Sequence, residues 1–352
     1  MKVKAVTSST PNGIALVGDY PGEQEEKMGL PFTGTAGQEL TRILKDAGIE
    51  RTDCHITNVF DARPPANNLD LWCLGAADWR KRYGGGLPIP LKKGKYLRLE
   101  HLPALAKLKQ ELTAWNPSIV VACGATAAWA LLGDSRITAI RGTLGESTLV
   151  PGVKVLSTFH PSYILRVWRD RAISVADLIK VRKESTFKEI LRPSRAITIR
   201  PTIADMCEWN AKILNASILS VDIECAHGQV TCIGFAPTKT EAIVVPFVDR
   251  GKPNYSYWET AEEECFAMRM VMEWLKCAVP KLFQNGIFDM EYLWKKWGAI
   301  TCNAMEDTML RHHSLQPEML KSLGMMGSLY TNEAPWKLMR KRAQGAIKNE
   351  SK

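Results

Sequence analysis

The sequence contains no apolar run long enough to cross a membrane, and residues 1–10 lack the apolar core of a secretory signal peptide. Both absences argue against an exported or membrane-embedded protein. The nine cysteines then have no oxidising compartment in which to pair, so we expect them to be reduced thiols. We therefore predict a cytoplasmic protein, from a bacterium or a phage-infected host, with no membrane partner.

The chain of 352 residues is longer than one hydrophobic core usually takes up, so two domains are predicted. Its net charge of +9 favours a polyanionic partner. Residues 80–109 contain nine Lys or Arg and one acidic residue, Glu100. We predict that this region contacts DNA phosphates, the alternative being a solvated surface loop. The predicted DNA-binding residues are Arg63, Arg80, Lys81, Arg82, Lys92 and Lys93.

A loop rich in glycine and proline follows the first apolar run, Ile14–Gly18, which is typical of a buried strand. Because Gly frees φ and Pro fixes it, residues 18–37 are predicted to fold back on themselves. A helical apolar spacing begins near Ala36. The loop therefore carries a carboxylate, Asp19, and an aromatic ring, Phe32, to the edge of a sheet where open α/β proteins bind ligands.

The loop reads Gly-Asp-Tyr-Pro-Gly, then an acidic segment, then Gly-Leu-Pro-Phe-Thr-Gly-Thr-Ala-Gly. It resembles the first motif of the uracil-DNA glycosylase superfamily, nearest its family four, whose members carry Gly-Glu-Ala-Pro-Gly and Gly-Arg-Pro-Phe-Val-Gly-Arg-Ala-Gly. The resemblance implies that Asp19 positions a water molecule and that Phe32 stacks on a base. It also places Tyr20 and Gly22 beside the substrate. The alternative is a loop of the same composition in another α/β protein.

Two later strand ends continue the resemblance. Asn58 ends the second predicted strand, and its amide can pair with the imide edge of uracil, although a turn residue is the alternative. The motif His160-Pro-Ser162 follows a further strand, and the resemblance implies that His160 stabilises the negative charge that develops on uracil O2. Ser162 is then expected beside the base, and the segment from Tyr163 to Leu165 is expected to wedge into the duplex.

Alternating strands and helices favour a mainly parallel sheet, so residues 1–192 are predicted to form a three-layer α/β/α domain. Family four uses four cysteines to hold an iron–sulfur cluster. Here residues 1–13 contain no cysteine and Ala62 occupies the third position, which argues against a cluster. Asp19 replaces the usual Glu and is one methylene shorter, which predicts altered water placement or a slower reaction. The hydrolysis itself is predicted to need no cofactor.

Three carboxylates mark the second half of the chain. Asp222 and Glu224 lie two residues apart in a predicted strand and therefore on one face, and Asp289 follows another strand. The pattern resembles the DEDD 3′–5′ exonucleases, in particular the proofreading domains of family A DNA polymerases and their phage relatives. The resemblance implies an incomplete RNase H-like α/β domain with a mixed sheet over residues 193–352. These three side chains would hold Mg²⁺ or Mn²⁺.

The fourth carboxylate of that family is missing, because no aspartate follows Asp307, the candidate substitute. We therefore expect the front of a longer polymerase, part of a split gene beside a separately encoded DNA polymerase, or a domain kept for binding DNA. The overall prediction is a DNA repair or replication protein that flips uracil out of DNA and hydrolyses its N-glycosidic bond. Two alternatives stay open: a non-catalytic, uracil-sensing DNA-binding module, and a metal-dependent 3′–5′ exonuclease.

Overall fold

A computed structural model describes residues 2–335, which divide into two compact units. Of these residues, the first unit comprises 2–191 and 324–335, and the second extends from Arg192 to Leu323. The sequence prediction assigned everything from residue 193 onward to the second domain. The segment from Gly324 instead has its contacts in the first unit, which is therefore discontinuous in sequence. Residues 336–352 lie outside the described part of the chain.

The first unit contains strands and helices in alternation along the chain. Its strands are β1 (Ile14–Gly18), β2 (His55–Asn58), β3 (Cys73–Leu74), β4 (Tyr96–Leu97), β5 (Ile119–Cys123), β6 (Leu144–Glu146) and β7 (Lys154–Thr158). Its helices before residue 192 are α1 (Glu23–Met28), α2 (Thr35–Asp46), α3 (Ala76–Tyr83), α4 (Pro103–Trp115), α5 (Ala125–Leu132), α6 (Ile137–Ile140), α7 (Pro161–Ile164) and α8 (Arg171–Glu184).

Four parallel strands form the body of the main sheet in this unit, in the order β2-β1-β5-β7, and β6 pairs antiparallel with β7 at the edge. Successive side chains of β1 point to opposite faces of the sheet. Ile14 and Leu16 belong to the core formed with α2 and α8, whereas Ala15 and Val17 belong to the core formed with α4 and α5. Helices cover both faces, which confirms the predicted three-layer α/β/α arrangement.

The parallel strands bring their carboxyl ends to one edge of the sheet. Gly18 at the end of β1 lies beside Asn58 at the end of β2, and Cys123 at the end of β5 lies beside Thr158 at the end of β7. The chain segments that leave these strands therefore start from neighbouring points. Open parallel sheets form their ligand crevice at this edge.

The second unit is built on a six-stranded sheet in the order β13-β12-β9-β10-β11-β8. Its strands are β8 (Ala196–Thr198), β9 (Leu219–Ala226), β10 (Gln229–Ala236), β11 (Glu241–Pro246), β12 (Lys281–Phe283) and β13 (Ala304–Asp307). Its helices are α9 (Ile203–Leu214), α10 (Ala261–Lys276), α11 (Gly286–Trp297) and α12 (Thr308–Leu315), and α13 (Leu323–Tyr330) begins at its last residue.

Strands β9, β10 and β11 form an antiparallel meander, and β12 and β13 add to the β9 side in parallel. This mixed sheet has the RNase H-like strand arrangement expected from the sequence. Its core contains Trp209 of α9, Phe235 of β10 and Trp274 of α10. Across residues 2–335, no helix combines the length and the apolar character needed to cross a membrane.

Candidate active site

Asp19 enters the site directly after β1, whose five residues are all buried. The first turn of α5 faces its carboxylate, and the Ala127 N–H donates a hydrogen bond to Asp19 Oδ1 at 3.2 Å. Burial raises the pKa of Asp19 above its ordinary value, while His160 and the donors of α5 oppose this rise. Asp19 is therefore a desolvated carboxyl group whose ionised form is stabilised by hydrogen-bond donors of α5.

His160 follows β7 and caps the short helix α7. Its Nδ1 accepts a hydrogen bond from the Ser162 N–H at 3.1 Å and lies 2.7 Å from Ser162 Oγ. Because Nδ1 acts as an acceptor, the neutral ring carries its hydrogen on Nε2. Burial lowers the pKa of His160, against the effect of Asp19, and so favours this neutral form. A Cβ at Gly124 would lie 3.0 Å from His160 Cβ and 3.1 Å from Asp19 Oδ1, so both side chains approach over a glycine.

Phe32 stacks on His160, with ring centroids 5.7 Å apart and ring planes inclined by 28°. Its backbone has φ 52°, in the left-handed region that bulky residues rarely adopt. Arg51 holds this conformation, because its Nη2 donates to Phe32 O at 2.8 Å and its Nη1 donates to Gly37 O at 2.9 Å. The sequence did not indicate the role of Arg51. Its partners are backbone carbonyls, and every residue has one, so no residue type marks them.

Asn58 and Phe32 both pack over Gly18. A Cβ added to Gly18 would lie 2.3 Å from Asn58 Oδ1 and 2.6 Å from Phe32 Cζ. In the part of the chain that the structure describes, no hydrogen bond occupies the Asn58 amide. Its donors and acceptor therefore remain available to a ligand.

These side chains line one cavity of about 540 Å³, a volume typical of small-molecule sites. The structure brings together here all seven residues that the sequence predicted as catalytic or substrate-binding: Asp19, Tyr20, Gly22, Phe32, Asn58, His160 and Ser162. The cavity is also lined by Glu25 and Arg166. Glu25 is buried, and its Oε1 accepts a hydrogen bond from the Gly34 N–H at 3.0 Å. The sequence does not distinguish Glu25 from its acidic neighbours in the loop.

The six basic residues predicted to bind DNA lie outside the described cavity lining. Arg80, Lys81 and Lys93 are exposed. Arg82 instead forms an ion pair with Glu100, and Lys92 pairs with Asp70 at 2.8 Å. Arg63 is half-buried, and its Nε lies 3.5 Å from Asn67 Oδ1. The set therefore contains both free and internally neutralised cations, and its DNA-binding role stays a prediction.

In the second unit, Asp222 and Glu224 lie on the solvent-facing side of β9, and Asp289 is buried in the first turn of α11. Burial raises the pKa of Asp289 to about 6, with a further contribution from Asp222, although Oδ1 accepts a hydrogen bond from the Ile223 N–H at 3.2 Å. Partial burial and Glu224 also raise the pKa of Asp222. Within residues 2–335, no group of three or more His, Cys, Asp or Glu side chains is placed to hold a metal ion. No metal-dependent step is therefore assigned here, and the Mg²⁺ or Mn²⁺ site stays a prediction.

Asp307, the candidate for the missing fourth carboxylate, caps α12. Its Oδ1 accepts from the Met309 N–H at 2.8 Å, and its Oδ2 accepts from the Gly286 N–H at 2.8 Å. Burial works in the other direction, but these backbone donors lower the pKa of Asp307. Both oxygens thus serve the local backbone, which leaves Asp307 poorly suited to replace a metal ligand.

All nine cysteines are free thiols. Burial raises the pKa of Cys54 to about 11, and burial also raises the pKa of Cys123. An iron–sulfur cluster is held by thiolates, usually four of them. Only Cys54, Cys73 and Cys123 are buried, and within residues 2–335 no group of three or more His, Cys, Asp or Glu side chains is placed to hold a metal ion, so the cysteines do not provide the ligand set of such a cluster.

Comparison with protein families matches residues 8–191 to the uracil DNA glycosylase superfamily. The chain is 36% identical over 155 residues to the type-4 uracil-DNA glycosylase of Thermotoga maritima, covering 44% of this chain and 66% of that protein. It is 33% identical over 161 residues to the type-4 enzyme of Archaeoglobus fulgidus, covering 43% and 66%. The chain therefore spans just under two thirds of the length of these curated relatives.

Solved structures with weak similarity to this chain include the following two. The catalytic core of RRP6 from Trypanosoma brucei has a TM-score of 0.29 at 20% identity, covering 40% of this chain and 36% of that one. NrnC of Brucella melitensis with bound Mg²⁺ has a TM-score of 0.29 at 13% identity, covering 40% and 64%.

Proposed function

The chain belongs to the uracil DNA glycosylase superfamily, and from that premise we propose that its first unit removes uracil from DNA by hydrolysing the N-glycosidic bond. The observation that carries this proposal is the shared cavity. Side chains from four separate parts of the first unit line it: Asp19, Phe32, Asn58 and His160. They provide a carboxylate, a stacking ring, an unoccupied amide and a neutral imidazole. A pyrimidine nucleotide needs each of these for recognition or bond cleavage.

Recognition of the base falls to Phe32 and Asn58. The ring of Phe32 offers a face for stacking, and Arg51 holds its backbone in place before any ligand arrives. The Asn58 amide pairs with the imide edge of uracil, where it accepts from N3–H and donates to O4. Cytosine presents the opposite pattern at this edge, so its binding would leave buried polar groups unpaired.

Cleavage of the glycosidic bond falls to Asp19 and His160. As the C1′–N1 bond breaks, its electron pair moves onto uracil and negative charge develops at O2. The Nε2–H of neutral His160 stabilises this charge. The ionised Asp19 carboxylate orients a water molecule toward C1′ and stabilises the oxocarbenium-like sugar. Because burial raises the pKa of Asp19, activity is expected to fall on acidification at a higher pH than an ordinary aspartate would give.

Access to the site requires the nucleotide to leave the duplex, which costs a few kcal/mol. In the proposed wedge segment, Ile164 is fully buried, whereas the Leu165 side chain is 44% exposed and is therefore the apolar group able to enter the duplex. The exposed cations Arg80, Lys81 and Lys93 would hold the flanking phosphates.

For the second unit we propose binding of a DNA 3′ end, with 3′–5′ exonuclease activity as the second candidate. Burial, with neighbouring carboxylates as a smaller cause, raises the pKa values of Asp222 and Asp289, and carboxyl groups perturbed in this way often mark functional sites. The backbone capping of Asp307 weakens the catalytic alternative. A separately encoded polymerase as partner remains part of this proposal.

The test uses a 5′-labelled duplex with a single uracil, followed by alkaline cleavage of abasic sites. The wild type is expected to cut at uracil, and Asp19→Asn and His160→Gln should lose this activity while retaining DNA binding. Asp78→Asn, which alters an exposed aspartate outside the cavity, is the matched control. Absence of cleavage by the wild type, or unchanged cleavage by both variants, would overturn the proposal.

A separate assay addresses the second unit. A 3′-labelled single strand is incubated with Mg²⁺ or Mn²⁺. Metal-dependent loss of label that disappears in Asp222→Ala would establish the exonuclease. Binding of the strand without loss of label, at every metal concentration, would leave 3′-end binding as the function.

A further inference from the structure

A buried ion pair lies close to the strand that leads to His160. Arg141 Nη2 donates to Asp177 Oδ1 at 2.7 Å, and Arg141 Nε donates to Asp177 Oδ2 at 3.1 Å. The side chains are 5% and 1% exposed, respectively. At this depth neither charge is screened by water, so each depends on the geometry of its partners.

The pair contacts both residues that precede His160. Thr158, the last residue of β7, donates its hydroxyl to Asp177 Oδ2 at 2.8 Å. The Arg141 guanidinium lies 6.0 Å from the ring centre of Phe159. The Gly142 N–H also donates to Ser157 O at 2.7 Å. Thr158 is therefore bonded to the pair itself, Phe159 lies at cation–π distance from it, and His160 is the next residue along the chain.

The remaining donors of Arg141 reach a segment that follows the second unit in sequence. Arg141 Nη2 donates to Ser328 Oγ at 3.1 Å, and Nη1 lies 2.8 Å from Met325 Sδ. Both residues belong to α13 and are buried. Lys180 Nζ fastens the end of the same segment by donating to Ser328 O at 3.0 Å and to Thr331 O at 2.5 Å.

We propose that Arg141 and Asp177 are positioning residues for His160, and that Met325 and Ser328 complete them. This inference rests on the proposed uracil excision. The Arg141 guanidinium donates both to Asp177, which accepts from the Thr158 hydroxyl, and to Ser328 of α13. The geometry of His160 then depends on residues that the chain supplies only after the second unit. The positioning residues do not line the described cavity, so their effect on the reaction passes through His160.

The test compares variants of the full chain with a matched control on α8, the helix that carries Asp177. Asp177→Asn removes the charge that holds Arg141 and Thr158, and Ser328→Ala removes the contact from α13. Glu184→Gln is the control, because Glu184 accepts from buried Lys154 at the opposite end of β7, at 3.1 Å. We expect Asp177→Asn to lower kcat for uracil release about tenfold or more, with KM almost unchanged, because a small misplacement of a reacting group has effects of this size.

Ser328→Ala is expected to lower kcat in the same direction by a smaller factor, and Glu184→Gln is expected to leave kcat unchanged even if it lowers the melting temperature. If the role of Asp177 were purely structural, Asp177→Asn and Glu184→Gln would both lower the melting temperature, and their kcat values would be the same. Equal kcat values for Asp177→Asn, Ser328→Ala and the wild type would overturn the inference.

A second readout does not depend on activity. The chain contains six histidines, so the imidazole NMR signals of His160 can be assigned by their loss in His160→Gln. Asp177→Asn should shift these signals and their titration midpoint, whereas Glu184→Gln should not. If the wild type releases no uracil, the proposed function fails, and the NMR comparison alone decides on the positioning role. Unchanged His160 signals in Asp177→Asn would then reject that role.

Discussion

The two units treat their carboxylates in opposite ways. Asp19 in the first unit is desolvated, but an N–H donor of α5 supports its charge. Burial is also the main cause in the second unit, where it raises the pKa of Asp289 to about 6, but there the charged neighbours of Asp222 and Asp289 are other carboxylates. Under the proposed function, the first arrangement acts on a neutral base through side chains of the protein. The second retains mutual repulsion, which protons or a bound cation would relieve.

The largest effect is expected from a substitution that fills the space between Gly18 and the side chains of Asn58 and Phe32. Gly18→Ala would put a Cβ 2.3 Å from Asn58 Oδ1 and 2.6 Å from Phe32 Cζ, so both side chains must move. We expect kcat/KM for uracil release to fall about 100-fold, because displacements near 1 Å have effects of this size. The melting temperature of the second unit, measured by calorimetry, should be unchanged.

Gly324→Ala is the control for this variant, since a Cβ at Gly324 would meet no atom within 4 Å and φ there is ordinary for an L-residue. It should retain full activity. Wild-type kinetics in Gly18→Ala would mean that Asn58 and Phe32 do not need their present positions.

Burial of Asp289, together with the neighbouring carboxylates, makes the stability of the second unit depend on pH. The folded pKa of Asp289, about 6, lies above the unfolded value near 4, so its contribution to stability is complete below about pH 4 and is lost as the pH rises to about 6. Asp289→Asn removes this loss and keeps an acceptor for the Ile223 N–H. At pH 7.5 we expect the variant to unfold with a free energy up to about 3 kcal/mol higher than the wild type. Denaturant titrations between pH 4 and 8 measure the difference.

Asp307→Asn is the matched control with the opposite sign. Backbone donors lower the pKa of Asp307, so its ionised form supports folding above the unfolded pKa, and the variant should be less stable than the wild type at neutral pH. A cation held between the carboxylates would show as stabilisation of the wild type by Mg²⁺ that is absent in Asp289→Asn. If both variants follow the wild-type pH profile, the pKa values of Asp289 and Asp307 are not shifted in the folded protein.

A smaller effect is expected from the residue that holds the Phe32 loop. Arg51→Lys replaces a planar fork, which bonds Phe32 O and Gly37 O together, with a single ammonium that cannot reach both in the same geometry. The left-handed backbone of Phe32 then loses support. We expect a loss of about 1–2 kcal/mol in both unfolding free energy and transition-state stabilisation. Arg136→Lys, at a surface pair with Asp134, is the control and should change neither quantity.

The sequence predicted those parts of the site that depend on strand ends. Asp19, Asn58 and His160 each lie at or just after the carboxyl end of a parallel strand, and such ends meet at one edge of the sheet. The motif resemblance then indicated which polar residues to choose. In the second unit, the shared face of Asp222 and Glu224 was predictable for a different reason. Their two-residue spacing along β9 places both side chains on one side of the strand.

The supporting groups were not predictable in this way. Arg51 acts on backbone carbonyls, and Glu25 is buried among acidic neighbours that look equivalent in the sequence. Assignment of α13 to the first unit depends on tertiary contacts of Ser328 and Met325, which have no local signal. The sequence does not exclude Asp307 as a metal ligand, because it does not show how many N–H groups the carboxylate accepts.

The smallest expected effect concerns the basic surface of the first unit, where free and paired cations occur side by side. Lys93 is exposed, whereas Arg82 is neutralised by Glu100. If Lys93 contacts a phosphate, Lys93→Gln should lower the slope of log K against log salt by about 0.9, and Arg82→Gln should change it less because its counter-charge is already internal. Glu100→Gln should steepen the slope, because it removes the counter-charge of Arg82 and makes that cation available to DNA. Fluorescence anisotropy with labelled duplex at several salt concentrations measures all three, and equal slopes would place the bound DNA away from this surface.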